Sequence, residues 1–324
     1  MADSYTTIAS LVKSEKALRA QVDVALKATN PLVTSGIAGS GNIPADFMAG
    51  GPRKATYQFH NPLDHSKLSV ISDDINQQGE ISGTSASEYD IVKHNVAMAY
   101  GYAQLAAMVT ESDPAGQITS RLVEAWVEQY LKIMTATLKG VFAASSALTK
   151  ATGVAFSAEA FSDAIIEAQS LKDERIPDFD AAIVSRAQKA VLKKANRNDY
   201  VAASDAKTQF DTFQGVQLIE TNRVSGLGGV TLASRGSINW ADRSLPNDME
   251  IEKYQRAGNL GGAEALFARR SFSAMPAGFT WKGAARSGDD LATLLTELGK
   301  ASNWGLIDTV TADMIGLHRL TFTA

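Results

Sequence analysis

The chain has 324 residues, 45% of them hydrophobic, with 31 Lys and Arg against 35 Asp and Glu and no cysteine. Its length allows one to three compact units, and its apolar fraction suffices for a core without covalent staples. The lack of cysteine excludes a disulfide framework, thiolate metal sites and a cysteine nucleophile. With only four histidines (His60, His65, His94, His318), the usual general base and metal ligand is scarce as well. A net charge of -4 argues against a strong basic field for nucleic acid. The composition suits a building block better than an enzyme.

The opening Met1-Ala-Asp-Ser-Tyr lacks the basic and apolar regions of a secretory signal. Two uncharged stretches, 28–45 and 94–110, are interrupted by Pro, Gly, Asn and Gln, and neither is the run of about 20 apolar residues that spans a bilayer. The chain is expected to be soluble, without a membrane partner, and cytosolic where it is made.

In chain order, Ile8, Leu11, Val12, Leu18, Val22 and Leu26 predict an amphipathic helix over roughly 5–28, ended by Asn30-Pro31. Thr34 to Pro52 is rich in Gly, Ser and Pro and promises little core material. Residues 1–56 therefore read as an arm or, equally, as an ordinary terminal helix plus loop. Residues 57–100 read as strands: Thr56, Tyr57 and Phe59 before a turn at Asn61-Pro62, then a return limb from Glu88 to Met98 that alternates polar with apolar. Between the limbs, Ser72 to Ser87 is too polar to order itself. From Leu68 to Val92 there is no Lys or Arg, whereas Asp73, Asp74, Glu80, Glu88 and Asp90 are all acidic.

The clearest element runs from Asp113 to about Ser145. Asp113 is a good N-cap, and Pro114 suits the first helical position. Ile118, Leu122, Trp126, Tyr130, Met134, Leu138 and Val141 recur every three to four residues, widened by Val123, Val127, Leu131 and Phe142. Such a helix would be roughly 45 Å long, a spine for sheets to pack on. A second helix is expected over 157–171, opening at Ser157 with Phe161, Ile165 and Ile166 inward. A buried strand follows at 179–184, then a helix over 185–195 with Lys189, Lys193 and Lys194 exposed. A strand is expected at 213–220, a break at Gly226 to Gly229, a short helix over 288–299, and strands from Trp304 to the end. The fold class is mixed α+β.

Chemical motifs are missing. There is no Gly-x-x-x-x-Gly-Lys phosphate loop, His-Glu-x-x-His pair or Gly-x-Ser-x-Gly elbow. The glycines at 36, 39 and 41 and at 226, 228 and 229 do not form a dinucleotide fingerprint. His60, Asp64 and His65 flank Pro62 without the register that would converge them on a metal. Asp73-Asp74 reads as solvated charge and Asp289-Asp290 as a helix start. The pairs Arg269-Arg270 and Lys193-Lys194 read as surface charge. No catalytic, cofactor or metal site is expected.

The order of arm, polar hairpin, spine helix, mixed unit and closing strands resembles the major capsid proteins of tailed bacteriophages with the HK97-type shell fold. The resemblance lies in Asp113-Pro-Ala-Gly-Gln-Ile through Leu138-Lys-Gly-Val-Phe-Ala, in Ser87-Glu-Tyr-Asp-Ile-Val-Lys, in Ala181-Ala-Ile-Val-Ser-Arg-Ala-Gln-Lys, in Thr212-Phe-Gln-Gly-Val-Gln-Leu-Ile-Glu, and in Asn303-Trp-Gly with Ile315-Gly-Leu. It covers roughly 55–324 and contains no invariant catalytic motif.

The resemblance implies an HK97-like fold with an N-terminal arm (1–56), an E-loop (57–98) and a P-domain with the spine helix (99–146). It further implies an A-domain (147–262) and P-domain return strands with the C-terminus (263–324). It implies a non-enzymatic shell subunit that forms pentamers and hexamers around double-stranded DNA, located in the virion and assembled in the host cytoplasm. A portal protein at one vertex and a decoration protein are further partners. With about 56 residues before the E-loop, a separate scaffolding protein is expected rather than a full built-in scaffolding segment. Some members cross-link through an E-loop lysine, and Leu68 to Val92 has none, so no isopeptide is expected. The acids Asp73, Asp74, Glu80, Glu88 and Asp90 should meet positive charge on a neighbour, with Lys132, Lys139, Arg269 and Arg270 as candidates. The alternatives are an encapsulin-like nanocompartment shell and, from another class, a soluble α+β enzyme. The Gly/Ser-rich stretch after the first helix favours the viral arm.

Overall fold

The computed structural model of the chain describes residues 30–39, 41, 43–61, 83–103, 114–174, 176–195, 200–203, 210–221, 227–256, 259–286, 288 and 290–323, with the single positions 22, 24, 25, 73 and 76. The expected helix over 5–28, the N-cap Asp113 and most of the polar tip lie outside the described residues.

Asn30 opens a one-turn helix, α1 (Pro31–Thr34), its side chain accepting from Leu32 N–H at 3.1 Å while Pro31 takes the first position. Next come β1 (Ala38–Gly39), the short α2 (Ala45–Ala49), and a hairpin of β2 (Lys54–His60) and β3 (Ala86–Val92). After Lys93 the chain enters β4 (His94–Ala103) and then the 31-residue α3 (Pro114–Ala144). β5 (Thr149–Ala155) leads to α4 (Ala158–Ser170), where Ser157 accepts from Ala160 N–H as an N-cap. β6 (Ala181–Val184), α5 (Arg186–Ala195), β7 (Tyr200–Val201), β8 (Asp211–Phe213), β9 (Val216–Glu220) and β10 (Val230–Ala233) follow. Two long strands, β11 (Ile238–Arg256) and β12 (Asn259–Pro276), precede β13 (Phe279–Trp281). The chain closes with α6 (Leu291–Leu298), capped by Asp290, then β14 (Trp304–Leu306) and β15 (Leu317–Thr323).

These elements form two main sheets. One has four strands in the order β1-β11-β12-β4; the other has seven, in the order β5-β15-β10-β6-β9-β8-β7. The larger apolar cluster lies between the four-stranded sheet, α3, α6 and the arm. It includes Trp126, Tyr130, Met134, Leu138, Phe272, Trp281 and Trp304. The smaller cluster fills the space between the seven-stranded sheet, α4 and α5, around Phe161, Phe213, Leu192 and Leu232. The α3 stripe read from the sequence faces the first cluster from Leu122 through Phe142.

Tertiary contacts redraw several expectations. The arm carries core after all: Leu32, Ile37, Ala38, Phe47 and Met48 are buried, and β1 pairs in parallel with the start of β11. Its few apolar residues are the ones that face inward, so a low average hid a real anchor. Ile166 is 60% exposed, not inward. The buried face of α4 is Ala158, Phe161, Ala164, Ile165 and Ala168, and a residue next to Ile165 is rotated about 100° from it. Lys189 is tied into ion pairs rather than exposed freely. The expected strand at 213–220 is a hairpin, turned at Gln214-Gly215, where both residues have positive φ. β15 lies inside the seven-stranded sheet with 149–233, although the sequence grouped it with 263–324. The long β11–β12 ribbon, which crosses the expected boundary at 262, had no counterpart in the sequence reading.

Gly140 explains why the spine tolerates glycine. A Cβ there would sit 2.1 Å from the Leu298 carbonyl oxygen and 2.5 Å from the Trp304 indole nitrogen. That indole donates to Leu298 O at 2.7 Å, locking the end of α6 and β14 against α3. Helix propensity alone would make Gly140→Ala stabilising by about 1 kcal/mol. The close approach reverses the sign, and a net loss of about 1–3 kcal/mol is expected in denaturant unfolding.

Candidate assembly interface

The hairpin β2–β3 forms a two-stranded sheet of its own beside the two main sheets. Seven residue pairs join it, from Lys54 opposite Val92 at the base to His60 opposite Ala86. Alternation gives it two faces. One carries Ala55, Tyr57, Phe59, Tyr89 and Ile91; Tyr57 packs edge-on against Phe47 of α2 with ring centroids 6.2 Å apart, and Tyr89 meets both Tyr57 and Phe59. The other face is polar: Thr56 donates to Asp90 at 2.6 Å and Gln58 to Glu88 at 2.8 Å.

The base is held firmly. Asp90 N–H donates to Thr280 Oγ1, Ser273 Oγ to Val92 O at 2.6 Å, and Arg53 Nη1 to Arg286 O at 2.8 Å. Lys93, between β3 and β4, is buried; its ammonium donates to the carbonyls of Phe47 and Gly50 and sits 4.8 Å from the Phe47 ring centre. Burial, and then the charge of Arg53, pull its pKa down. Higher up, Asn61 bonds Ser85 and Thr309.

The candidate acids divide into two groups. Glu88 and Asp90 belong to β3 and are engaged within the hairpin, Asp90 also by Lys54 at 3.0 Å. Burial alone would raise the Asp90 pKa, but the bonds from Thr56 and Lys54 hold it below its usual value. Asp73 is exposed, and Asp74 and Glu80 lie outside the described residues.

The candidate bases fare unevenly. Arg270 is a correction: it is buried, with its side chain 4% exposed, and cannot be surface charge for a neighbour. Its guanidinium forms a fork on Asp242, Nη2 to Oδ2 at 2.7 Å and Nε to Oδ1 at 3.0 Å, and Nε also reaches the Tyr130 hydroxyl at 2.9 Å. Tyr130 in turn donates to Asp242 at 2.9 Å. Burial, reinforced by Asp242, pushes the Tyr130 phenol well above its usual pKa. Arg269, pointing the other way on the strand, pairs with Glu250 at 2.9 Å, and Lys132 pairs with Glu128 one turn back. Lys139 stands exposed on α3. The buried triad joins residues 130, 242 and 270, and no local spacing marks it.

A cleft of about 630 Å³ runs along β4. Every residue from His94 to Tyr100 lines it, so it follows the strand edge rather than one face. Trp126, Gln129 and Ile133 of α3 form the opposite wall, with Leu291 and Leu294 of α6, and Arg53 and Arg286 stand at its rim. A second hollow of about 350 Å³ lies between the arm and β11. In the seven-stranded sheet Asp211 joins Lys189, Tyr200 and the Ala203 N–H. Burial opposes its ionisation, yet those bonds hold its pKa near 2. Among the described residues no group of three His, Asp or Glu could hold a metal ion. His60 is exposed at the end of β2, and Asp64 and His65 lie outside the described residues. No helix among the described residues is long and apolar enough to cross a membrane.

The buried and exposed arginines should respond differently to mutation. Asp242→Ala strands a buried guanidinium and should cost about 3–5 kcal/mol. Arg269→Ala should cost less than about 1 kcal/mol, both read from denaturant midpoints. Acid should also weaken the fold. Burial lowers the pKa of His94 to about 4, and burial with Lys150 and Lys172 does the same to His318. An unfolded imidazole protonates near 6.5, so between pH 6.5 and 4 the unfolded chain binds more protons and stability falls as pH falls. For His94 this is about 3 kcal/mol at the acid end. His94→Gln should flatten that part of the stability–pH curve, and an unchanged slope would contradict the assignment.

Comparison with known proteins places this geometry. No protein-family model and no curated protein sequence matches the chain. Solved structures do. A structure from Microbacterium phage Oxtober96 superposes with a TM-score of 0.53 at 12% identity, over 85% of this chain and 88% of that one. The capsid of Ralstonia phage GP4 gives 0.54 at 10% identity, over 80% and 90%. The capsid structure of cyanophage P-SCSP1u gives 0.50 at 10% identity, over 74% and 89%. The chain has the mixed α+β fold of phage capsid structures, as the sequence resemblance anticipated.

Proposed function

We propose that this chain is the major capsid protein of a tailed bacteriophage, a structural shell subunit without catalytic activity. The observation that carries the reading is the fold match to phage capsids over about three quarters or more of both chains. The separate β2–β3 hairpin supports it: an amphipathic two-stranded ribbon is marginal alone and is completed by packing on another surface. In this reading 1–56 is the arm, 57–98 the E-loop, 99–146 and 263–324 the P-domain, and 147–262 the A-domain, whose sheet β15 completes. Pentamers and hexamers of the chain close into an icosahedral shell around double-stranded DNA. A separate scaffolding protein, a portal and a decoration protein complete the particle, which assembles in the host cytoplasm.

A whole-chain charge of -4 fits a wall that holds DNA without gripping it, because tight phosphate binding requires Lys and Arg contacts. Negative-stain microscopy of the expressed chain, alone and with its scaffolding partner, should show closed shells. A monomer under all conditions would refute the reading, and shells filled by an enzyme cargo instead of DNA would favour a nanocompartment. On a denaturing gel, shells should run as monomer only, because Leu68 to Val92 contains no lysine for an isopeptide. A ladder of covalent multimers would overturn that expectation.

A further inference from the structure

The short helix α2 is joined to β2 by an exposed run of Gly50, Gly51 and Pro52 with Arg53. Gly51 has a φ of +78°, and nothing lies within 4 Å of the place a Cβ would take there. The two glycines contribute no packing that would fix the angle between α2 and the hairpin. On the side of the body, α2 faces a hollow. Ala45 and Met48 line the space of about 350 Å³ whose far wall is Trp240, Ala241 and Arg243 of β11. Atoms beside such a void forfeit dispersion contacts on that side. The burial of Phe47 and Met48 therefore overstates how firmly the body grips α2.

One ammonium bridges the joint. Lys93 lies where β3 passes into β4, and its backbone N–H donates to Arg53 O at 2.9 Å. Its Nζ crosses to α2, donating to the carbonyls of Phe47 and Gly50 beside the Phe47 ring. Phe47 in turn packs on Tyr57 of β2, so the same contact covers part of the aromatic face of the hairpin. Lys93 is 3% exposed, and among the described residues no carboxylate pairs with it. A buried charge held only by carbonyls is costly to the fold, and an apolar side chain of similar volume avoids that cost. The ammonium thus weakens the fold as a whole while tying α2 to the base of the hairpin. Gly50 is exposed, so water can replace the ammonium on its carbonyl.

We propose that α2 is a hinged cover, latched shut by Lys93 across the Gly50-Gly51 joint. When the latch opens, α2 swings about Gly51 and uncovers Tyr57 together with the hollow behind Met48. This device is local to the arm and the hairpin base, and it does not rest on the shell reading.

The chain has no native cysteine, so a single introduced thiol reports the opening. Met48→Cys puts one on the buried side of α2, and Ala182→Cys, in β6, puts one in the body. Both are challenged with a water-soluble thiol reagent. Adding Lys93→Met should speed labelling of Met48→Cys about tenfold or more and leave Ala182→Cys as slow as before. The denaturant midpoint should stay level or rise, because the unpaired charge is gone. A side chain that only stabilised the fold would lower the midpoint and speed both thiols together. Either that result or unchanged labelling of Met48→Cys overturns the proposal. Should Lys93→Met fail to fold, hydrogen exchange of the unsubstituted chain decides. The Met48 amide, bonded to Pro44 O, should exchange at least tenfold faster than amides in the middle of β12, through an opening insensitive to denaturant. Exchange of Met48 only by global unfolding, in step with β12, would equally overturn it.

Discussion

A salt-bridged triad buried between a helix and a ribbon sets the frame on which the other elements are placed. Tyr130 comes from the middle of α3, Asp242 from β11 and Arg270 from β12, and their hydroxyl, carboxylate and guanidinium meet within 3.0 Å. Around them Trp126, Trp240, Phe272 and His94 stack at centroid distances of 5.0–5.8 Å. Apolar packing supplies most of the attraction, but it is non-directional and would tolerate α3 sliding along the ribbon. The forked pair admits one register, because removing its carboxylate leaves a charge out of water. With α3 and the ribbon in register, β4 is positioned by ten ladder pairs to β12, and the hairpin by Lys93 and Ser273 at the same end.

The body and the hairpin are held by different contacts. The body is held by two apolar clusters and by close approaches such as Gly140 against Leu298 and Trp304. The hairpin is held at its base by bonds to β12, β13 and the 283–286 segment, along its aromatic face by Phe47, and at its far end by the Thr309 bond to Asn61. Of the acids in the ladder, Asp90 is paired with Lys54 and accepts from Thr56, whereas Glu88 accepts from the neutral Gln58 amide.

Much of the architecture was legible because it is written in local periodicity. The 3.6-residue stripe from Leu122 to Phe142, the Ser157 cap of α4, the apolar run at 181–184 and the Asp290 start of α6 are each specified within a dozen residues. Where the sequence misled, the deciding partner was distant. The arm looked coreless because its buried Ile37, Ala38 and Phe47 are separated by glycines, and what buries them is β11, some 200 residues away. The ribbon itself has no uniform alternation, since one end lies under α3 and the other is more open, with bulges between Ser244 and Met249. Arg269-Arg270 looked like one patch of surface charge; strand alternation sends the two side chains to opposite faces, one to Glu250 and the other into the core.

By itself the sequence determined the α+β class, the spine and the acidic lysine-free segment, since all of these are properties of composition and short-range spacing. The tertiary structure alone decided which charges are spent and which remain available. It buried Arg270 against Asp242, used Glu88 and Asp90 inside the hairpin, and, among the described residues, paired β4 with a strand on one side only. Charge is read residue by residue along a chain, but its availability depends on desolvation and on partners brought from far away in sequence. Those are fixed only when the sheets close.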